Sequence, residues 1–292
     1  MNTATMLARA KVNLFLAVEG ARDDGFHELT SVFHALDLAD TVRVRPGSGV
    51  RMQMEVPGEV TEAGNLAARA LDVLGLSDEL AVEISKRIPV AAGMGGGSAD
   101  AAAAFLAARA VAQRWSDDHE NHEHDMDVGA SLGSDVPFFM SRAGTAIVRG
   151  RGEHVTPLAV TFRGWFVIGL TFRPLSTSDV YARWDELGEQ TGSGDLDGLL
   201  DALASEDPIA VGALLRNDLE AATFDLMPDL AAKKEAMLEA GALGAQIAGS
   251  GPTLFALTAG PEQAQTLAEE VAHLFDRVHV CSSSAQSIER VR

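Results

Sequence analysis

Residues Arg87–Ala110 read RIPVAAGMGGGSADAAAAFLAARA, with Gly93, Gly95, Gly96 and Gly97 inside five positions and an alanine-rich helix from about Ser98. Bare backbone of this kind lets successive N–H groups converge on an anion, and the first turn of the following helix adds unsatisfied donors and its positive dipole end. A tight turn with close packing needs fewer glycines, so the stretch reads as a cradle for phosphate. It is not a Walker A loop, because no Lys-Ser or Lys-Thr pair follows. It also departs from the dinucleotide fingerprint, since Ser98 stands where the third glycine belongs.

Upstream, ELAVEISKRI reads as the strand leading into this loop, and NLAARALDVLGL as a helix beginning near Asn65 with Gly75 close to its end. DTVRVRP and VRMQMEV read as two strands joined as a hairpin through Gly47-Ser48-Gly49. In AKVNLFLAV a period of two puts Val12, Leu14, Leu16 and Val18 on one face and Arg9, Lys11 and Asn13 on the other, so Lys and Asn are aimed side by side. The opening also mimics a signal peptide, but its apolar run is about seven residues long, contains Asn13 and lacks a small-residue cleavage site, so a buried strand is expected.

At 292 residues the chain suggests two domains, and the pattern restarts at RGWFVIGLTF. A boundary at 156/157 is therefore expected, giving domains 1–156 and 157–292. After that strand the pattern gives two helical stretches, then GSGPTLF (Gly249–Phe255) as a glycine-rich link from helix to strand. Hydrophobic residues at 47% and charged residues at 22% are ordinary globular composition. A formal net charge of −19 repels phosphate backbones and anionic membranes, which argues against nucleic-acid and membrane partners. Cys281 is the single cysteine, and no apolar run reaches about 18 residues, so a cytoplasmic location is expected. SDDHENHEHDMD (Ser116–Asp127), with His119, His122 and His124, reads as a solvated loop without a function.

SLGSDVPFF places Asp135 just before Pro137, which by itself suits a helix N-cap. Together, ARAKVNLFLAVEGARDDGFHELTSVFHALDLAD, IPVAAGMGGGSADAAAAF, SLGSDVPFF and GSGPTLFAL resemble the three ordered motifs of the small-molecule kinases grouped as galactokinase, homoserine kinase, mevalonate kinase and phosphomevalonate kinase. The resemblance runs from Ala8 to about Ala256. KVNLFL, GFHEL and GSDVPFF point within that group to the branch whose acceptor is a cytidine diphosphate ester of methylerythritol.

The resemblance implies an α+β fold, with an N-terminal ATP domain like the second domain of ribosomal protein S5 and a ferredoxin-like C-terminal domain. It implies transfer of phosphate from ATP, with Mg²⁺, to the 2-hydroxyl of that small-molecule acceptor. Lys11 and Asp135 then face the accepting hydroxyl, and Gly93, Gly95, Gly96, Gly97 and Ser98 hold the triphosphate. Asn65 falls where the family contacts adenine, a helix cap being the other reading. Asn13, Phe26, His27, Thr177 and Tyr181 fall where the family surrounds the cytidine and the methylerythritol. The magnesium ligands are not legible, with Ser98 the only suggestion. Two positions depart from the family pattern: Phe26 replaces a usual Tyr, and Arg9 a usual Pro. The competing expectations are a homoserine- or mevalonate-type kinase, a non-catalytic nucleotide sensor on the same fold, and an RNA-binding relative that the −19 charge opposes.

Overall fold

The computed structural model describes residues 3–55, 65–112, 119–188 and 194–291. Two long strands, β1 (Ala4–Ala21) and β2 (His27–Pro46), pair antiparallel along almost their whole length. After β3 (Val50–Met54) and α1 (Leu66–Val73), β4 (Leu80–Lys86) leads through the glycine loop into α2 (Gly96–Ala112). Then come α3 (His119–Leu132), α4 (Val136–Met140), β5 (Thr145–Gly150) and β6 (His154–Pro157). Alanine favours the helix and fills little space, so α2 buries Ala99, Ala101–Ala104, Phe105, Ala107 and Ala108 against β1, β2, α1 and α4.

The second half continues with β7 (Trp165–Leu170), α5 (Thr177–Leu187), α6 (Leu196–Ala204), α7 (Pro208–Ala213), β8 (Arg216–Asn217), α8 (Glu220–Leu226) and α9 (Asp229–Glu239). It closes with β9 (Gly244–Ile247), β10 (Leu254–Thr258), α10 (Pro261–Val271), β11 (Arg277–Ser282) and β12 (Ile288–Arg290). Strands β11-β7-β10-β9 form a four-stranded antiparallel sheet. The larger sheet runs β12-β1-β2-β4-β3, with β5 and β6 continuing from the other half of β2 and β8 lying parallel to β1. Two segments of the second half, β8 and β12, thus return to flank β1. Among the described residues no helix is long and apolar enough to cross a membrane.

Several local expectations are corrected. The strands either side of Gly47-Ser48-Gly49 do not form a hairpin: β4 lies between them, antiparallel to β2 and parallel to β3. The more apolar β4 buries Leu80, Val82 and Ile84 with Val42 and Val44, and this burial overrides the local turn signal. A bulge between Asn13 and Phe15 breaks the alternation of β1, so Phe15 joins Val12 and Leu14 in one cluster while Leu16 and Val18 pack in another. Residues from His119 belong to α3 and not to a loop, and Ser116–Asp118 lie outside the described residues. Among the described residues five helices, not two, lie between β7 and β9, and residues 248–253 join β9 to β10, strand to strand.

Candidate active site

Both faces of β1 are covered, so Lys11 and Asn13 are 3% and 1% exposed although they are polar. Burial of that depth requires partners. Lys11 Nζ donates to Asn13 Oδ1 at 2.8 Å, lies 3.6 Å from Asp135 Oδ2 and stands 4.5 Å above the Phe33 ring centroid. Burial pulls the Lys11 ammonium below its usual pKa, and the Asp135 charge partly opposes this. Asn13 donates to Ser31 Oγ at 3.0 Å, accepts from Gly249 N at 3.0 Å on the same oxygen that binds Lys11, and accepts from Gln246 Nε2 at 2.6 Å on its main-chain carbonyl. One asparagine therefore ties the lysine strand to the second sheet.

Asp135 occupies the residue before α4, yet its side chain makes no capping hydrogen bond. Its carboxylate turns to Lys11 instead. Arg9, the departure at the strand entrance, also has a place: its N–H donates to Ser287 O at 3.0 Å and its guanidinium pairs with Glu289 at 2.5 Å. A proline there would supply neither contact.

The glycines differ in what their missing side chains spare. A Cβ on Gly93 would come within 1.9 Å of Ala248 O, one on Gly95 within 2.9 Å of Phe139, and one on Gly96 within 2.9 Å of both Ile88 and Lys86 Nζ. These three are bare because the loop is pressed against protein. Gly93 and Gly95 also have φ of 73° and 71°. Only at Gly97 is the space nearly open, the nearest atom being Leu66 Cδ1 at 3.9 Å. Asn65 caps α1 by accepting from Ala67 N at 2.9 Å, with its amide nitrogen toward Met52 Sδ. Asn65, Gly93 and Gly95–Ser98 line a cavity of about 450 Å³.

An adjoining cavity of about 510 Å³ is lined by Lys11, Asn13, Phe26, His27, Asp135, Thr177 and Tyr181, with Gly93 and Gly95 bordering both. Thr177, at the start of α5, exchanges a 2.9 Å hydrogen bond with Ser250 Oγ. His27 stacks on Tyr181 with ring centroids 4.7 Å apart and sets Nε2 2.8 Å from Asp185 Oδ1. One face of Tyr181 is thereby covered by His27. Burial and the Asp135 charge push the Tyr181 phenol above its ordinary value. Phe26 is 46% exposed, and the Arg151 guanidinium lies over its ring at 4.9 Å.

A buried triad beneath the loop was not foreseen. Lys86 is paired with Asp40 and, at 2.8 Å, with Asp100, while Asp40 also accepts from the N–H groups of Arg87 and Ile88. Burial, with the Asp40 charge adding to it, raises Asp100 to about 8 against the pull of Lys86, and Asp100 Oδ1 is buried with no hydrogen-bond partner. Phase could have revealed Lys86, because it falls in step with Val82 and Ile84 on β4 and so must point inward. Asp185 and Arg151 were also missed; they come from distant elements and carry no local pattern.

Comparison with known proteins shows the family of the chain. The family described as GHMP kinases N terminal domain matches residues 62–142, and GHMP kinases C terminal matches 199–277. The chain is 41% identical over 277 residues to the 4-diphosphocytidyl-2-C-methyl-D-erythritol kinase of Streptomyces avermitilis, covering 91% of this chain and 92% of the relative. It is 37% identical over 281 residues to the enzyme of that name from Gloeobacter violaceus, covering 93% and 91%. A crystal structure of 4-(cytidine 5'-diphospho)-2C-methyl-D-erythritol kinase superposes with a TM-score of 0.80 at 33% identity over 96% of this chain and 99% of that one. A homoserine kinase from Cytophaga hutchinsonii gives 0.72 at 22% identity over 100% and 98%, a likeness of fold alone.

Proposed function

Since the chain belongs to the 4-diphosphocytidyl-2-C-methyl-D-erythritol kinases, within the GHMP kinases, we propose that it transfers the γ-phosphoryl group of ATP to the 2-hydroxyl of that cytidine substrate. This is a step in the non-mevalonate route to isoprenoid precursors. The observation that carries the mechanism is the Lys11–Asp135 pair, 3.6 Å apart, with both residues lining the wall of the larger cavity. Phosphoryl transfer asks a protein chiefly to position the acceptor oxygen, take its proton and offset the charge on the moving group. Asp135, freed from capping, is the proton acceptor. Lys11, fixed by Asn13, supplies the cation, and the second sheet fixes Asn13 in turn.

ATP is assigned to the glycine-loop cavity, its phosphates toward Gly97 and Ser98, with Asn65 near the base end. The cytidine is assigned to Phe26, His27 and Tyr181, and the methylerythritol to the span between Asn13 and Thr177. Among the described residues no group of three or more His, Cys, Asp or Glu could cage a metal ion. Mg²⁺ keeps several waters and takes one or two protein oxygens beside substrate phosphates, so it needs no such cage. Ser98 would hold it, and it would neutralise phosphate charge. The boundary near Pro157 is retained as a proposal for where the two halves are divided.

Asp135→Asn keeps the size of the side chain but cannot take the proton, so kcat is expected to fall on the order of 10²–10⁴-fold while calorimetric ATP affinity stays unchanged. Near-normal turnover would return Asp135 to a structural role at α4. Single-turnover ADP release with the cytidine acceptor separates an enzyme from a non-catalytic sensor, and a panel including homoserine and mevalonate separates this acceptor from those of the wider fold.

A further inference from the structure

We propose that Arg151 is a positioning residue for the acceptor site, holding Phe26 in place and tying the base-binding turn to the loop that carries Asp135. The proposal rests on the reading that Phe26 stacks on the acceptor's base. Phe26 follows β1 in the short turn to β2 and, being nearly half exposed, has little core packing to orient it. Its N–H donates to Asp24 Oδ1 at 3.2 Å, which fixes the backbone but not the ring. The group that meets the ring face is the Arg151 guanidinium, 4.9 Å from the centroid.

Arg151 is itself held from the other side. Its Nη2 donates to Ala130 O at 3.1 Å in the last turn of α3, and its N–H donates to Glu153 Oε2 at 2.7 Å. Gly152 beside it has φ of 128°, and a Cβ there would come within 3.0 Å of Ser134 O, so the turn between β5 and β6 is pressed against the residue preceding Asp135. A planar guanidinium can cover an aromatic face and still donate in its own plane to a carbonyl, which an ammonium cannot do with the same geometry. Phe26 is thus left with one face covered and the other free for a base. The path Phe26–Arg151–Ala130 joins the base end of the cavity to the catalytic end without passing through the substrate.

The test is a double-mutant cycle on steady-state constants. Arg151→Met keeps the length of the stem and removes the planar cation. It is expected to raise KM for the cytidine acceptor roughly 3- to 10-fold, with KM for ATP within about 2-fold and the melting temperature unchanged. Arg151→Lys restores the cation and is expected to recover part of the loss. Phe26→Ala raises acceptor KM by itself, and Arg151→Met added to it should then cost less than about 2-fold further. Three results overturn the proposal. A full additional loss in the Phe26→Ala background means that Arg151 touches the acceptor directly. An unaffected Arg151→Met enzyme beside an impaired Phe26→Ala one means that Phe26 needs no support. A Phe26→Ala enzyme with normal acceptor KM removes the stacking assignment itself, and the proposal with it.

Discussion

Gly97→Ala is the substitution that isolates the phosphate cradle, because it is the one glycine of the loop whose Cβ would meet no protein atom closer than 3.9 Å. Gly97 is helical, in the first turn of α2, so alanine costs no backbone strain. An Ala in place of Gly within a helix contributes up to about 1 kcal/mol, less in a first turn, so the melting temperature should hold or rise by a degree or two. The methyl group nevertheless enters the cavity where a phosphate oxygen would approach the backbone. Losing one charge-assisted hydrogen bond costs about 1.5–3 kcal/mol, equivalent to roughly 13- to 150-fold in ATP affinity. The expected signature is therefore a protein at least as stable as the parent that binds ATP at least tenfold more weakly by calorimetry, with acceptor binding unchanged. An ATP affinity within twofold of the parent would refute the placement of phosphate at Gly97. Gly96→Val does not serve this purpose: its Cβ would strike Ile88 and Lys86 in the interior, so loss of binding there would report a damaged fold.

Tyr181→Ala should raise acceptor KM about tenfold or more and leave ATP alone, while Phe26→Tyr should be close to neutral, as read from paired KM measurements. His34 is fully buried between Thr145 Oγ1 and Ser283 Oγ, and burial, aided by Arg163, lowers it to about 4. Between that value and its ordinary one near 6.5 the unfolded chain binds the extra proton, so stability rises with pH across the window and is lost as pH falls through it. The amount is about 3 kcal/mol, and His34→Gln should flatten that limb in melts from pH 4 to 7. Asp100 works in the opposite direction, because a carboxyl that keeps its proton to about 8 when folded releases it near 4 when unfolded. Its contribution is full below pH 4 and declines up to about 8, so Asp100→Asn should remove a fall in melting temperature across that range. An unchanged slope would mean that Asp100 is ionised within the triad.

The position of the glycine loop ahead of an alanine helix was legible in the sequence, though three of its four glycines are bare for packing, and the side-by-side placement of Lys11 and Asn13 was legible from strand alternation. Asp135 was legible only through its motif. Position before Pro137 argues for a cap, and what overrides the local rule is Lys11, 124 residues earlier in the chain. The Asp40–Lys86–Asp100 triad was hidden for the same reason: strand phase marks Lys86 as inward, but its partners are named only by the sheet order β2-β4 under α2. Strand β4 displaced the expected hairpin because turn chemistry is local and burial is not. The distinct tasks of Gly93, Gly95, Gly96 and Gly97 could not be separated in sequence, since only the neighbours of the absent Cβ atoms tell them apart.

Strand β12 pairs Ala8 with Ile288 and Met6 with Arg290, a few residues from Lys11. On a ribosome the lysine strand is made before its covering strand, which follows 280 residues later, the interval from Ala8 to Ile288. At about 5–20 residues per second that interval lasts roughly 15–55 s. Through it the edge of β1 can pair with β2 but not with β12, and the Arg9–Glu289 contact cannot form. An uncovered edge is a template for a neighbouring chain. Synthesis of this chain thus seals the strand of Lys11 late, so nascent chains crowded on one message are exposed to each other at the sheet edge beside the candidate site.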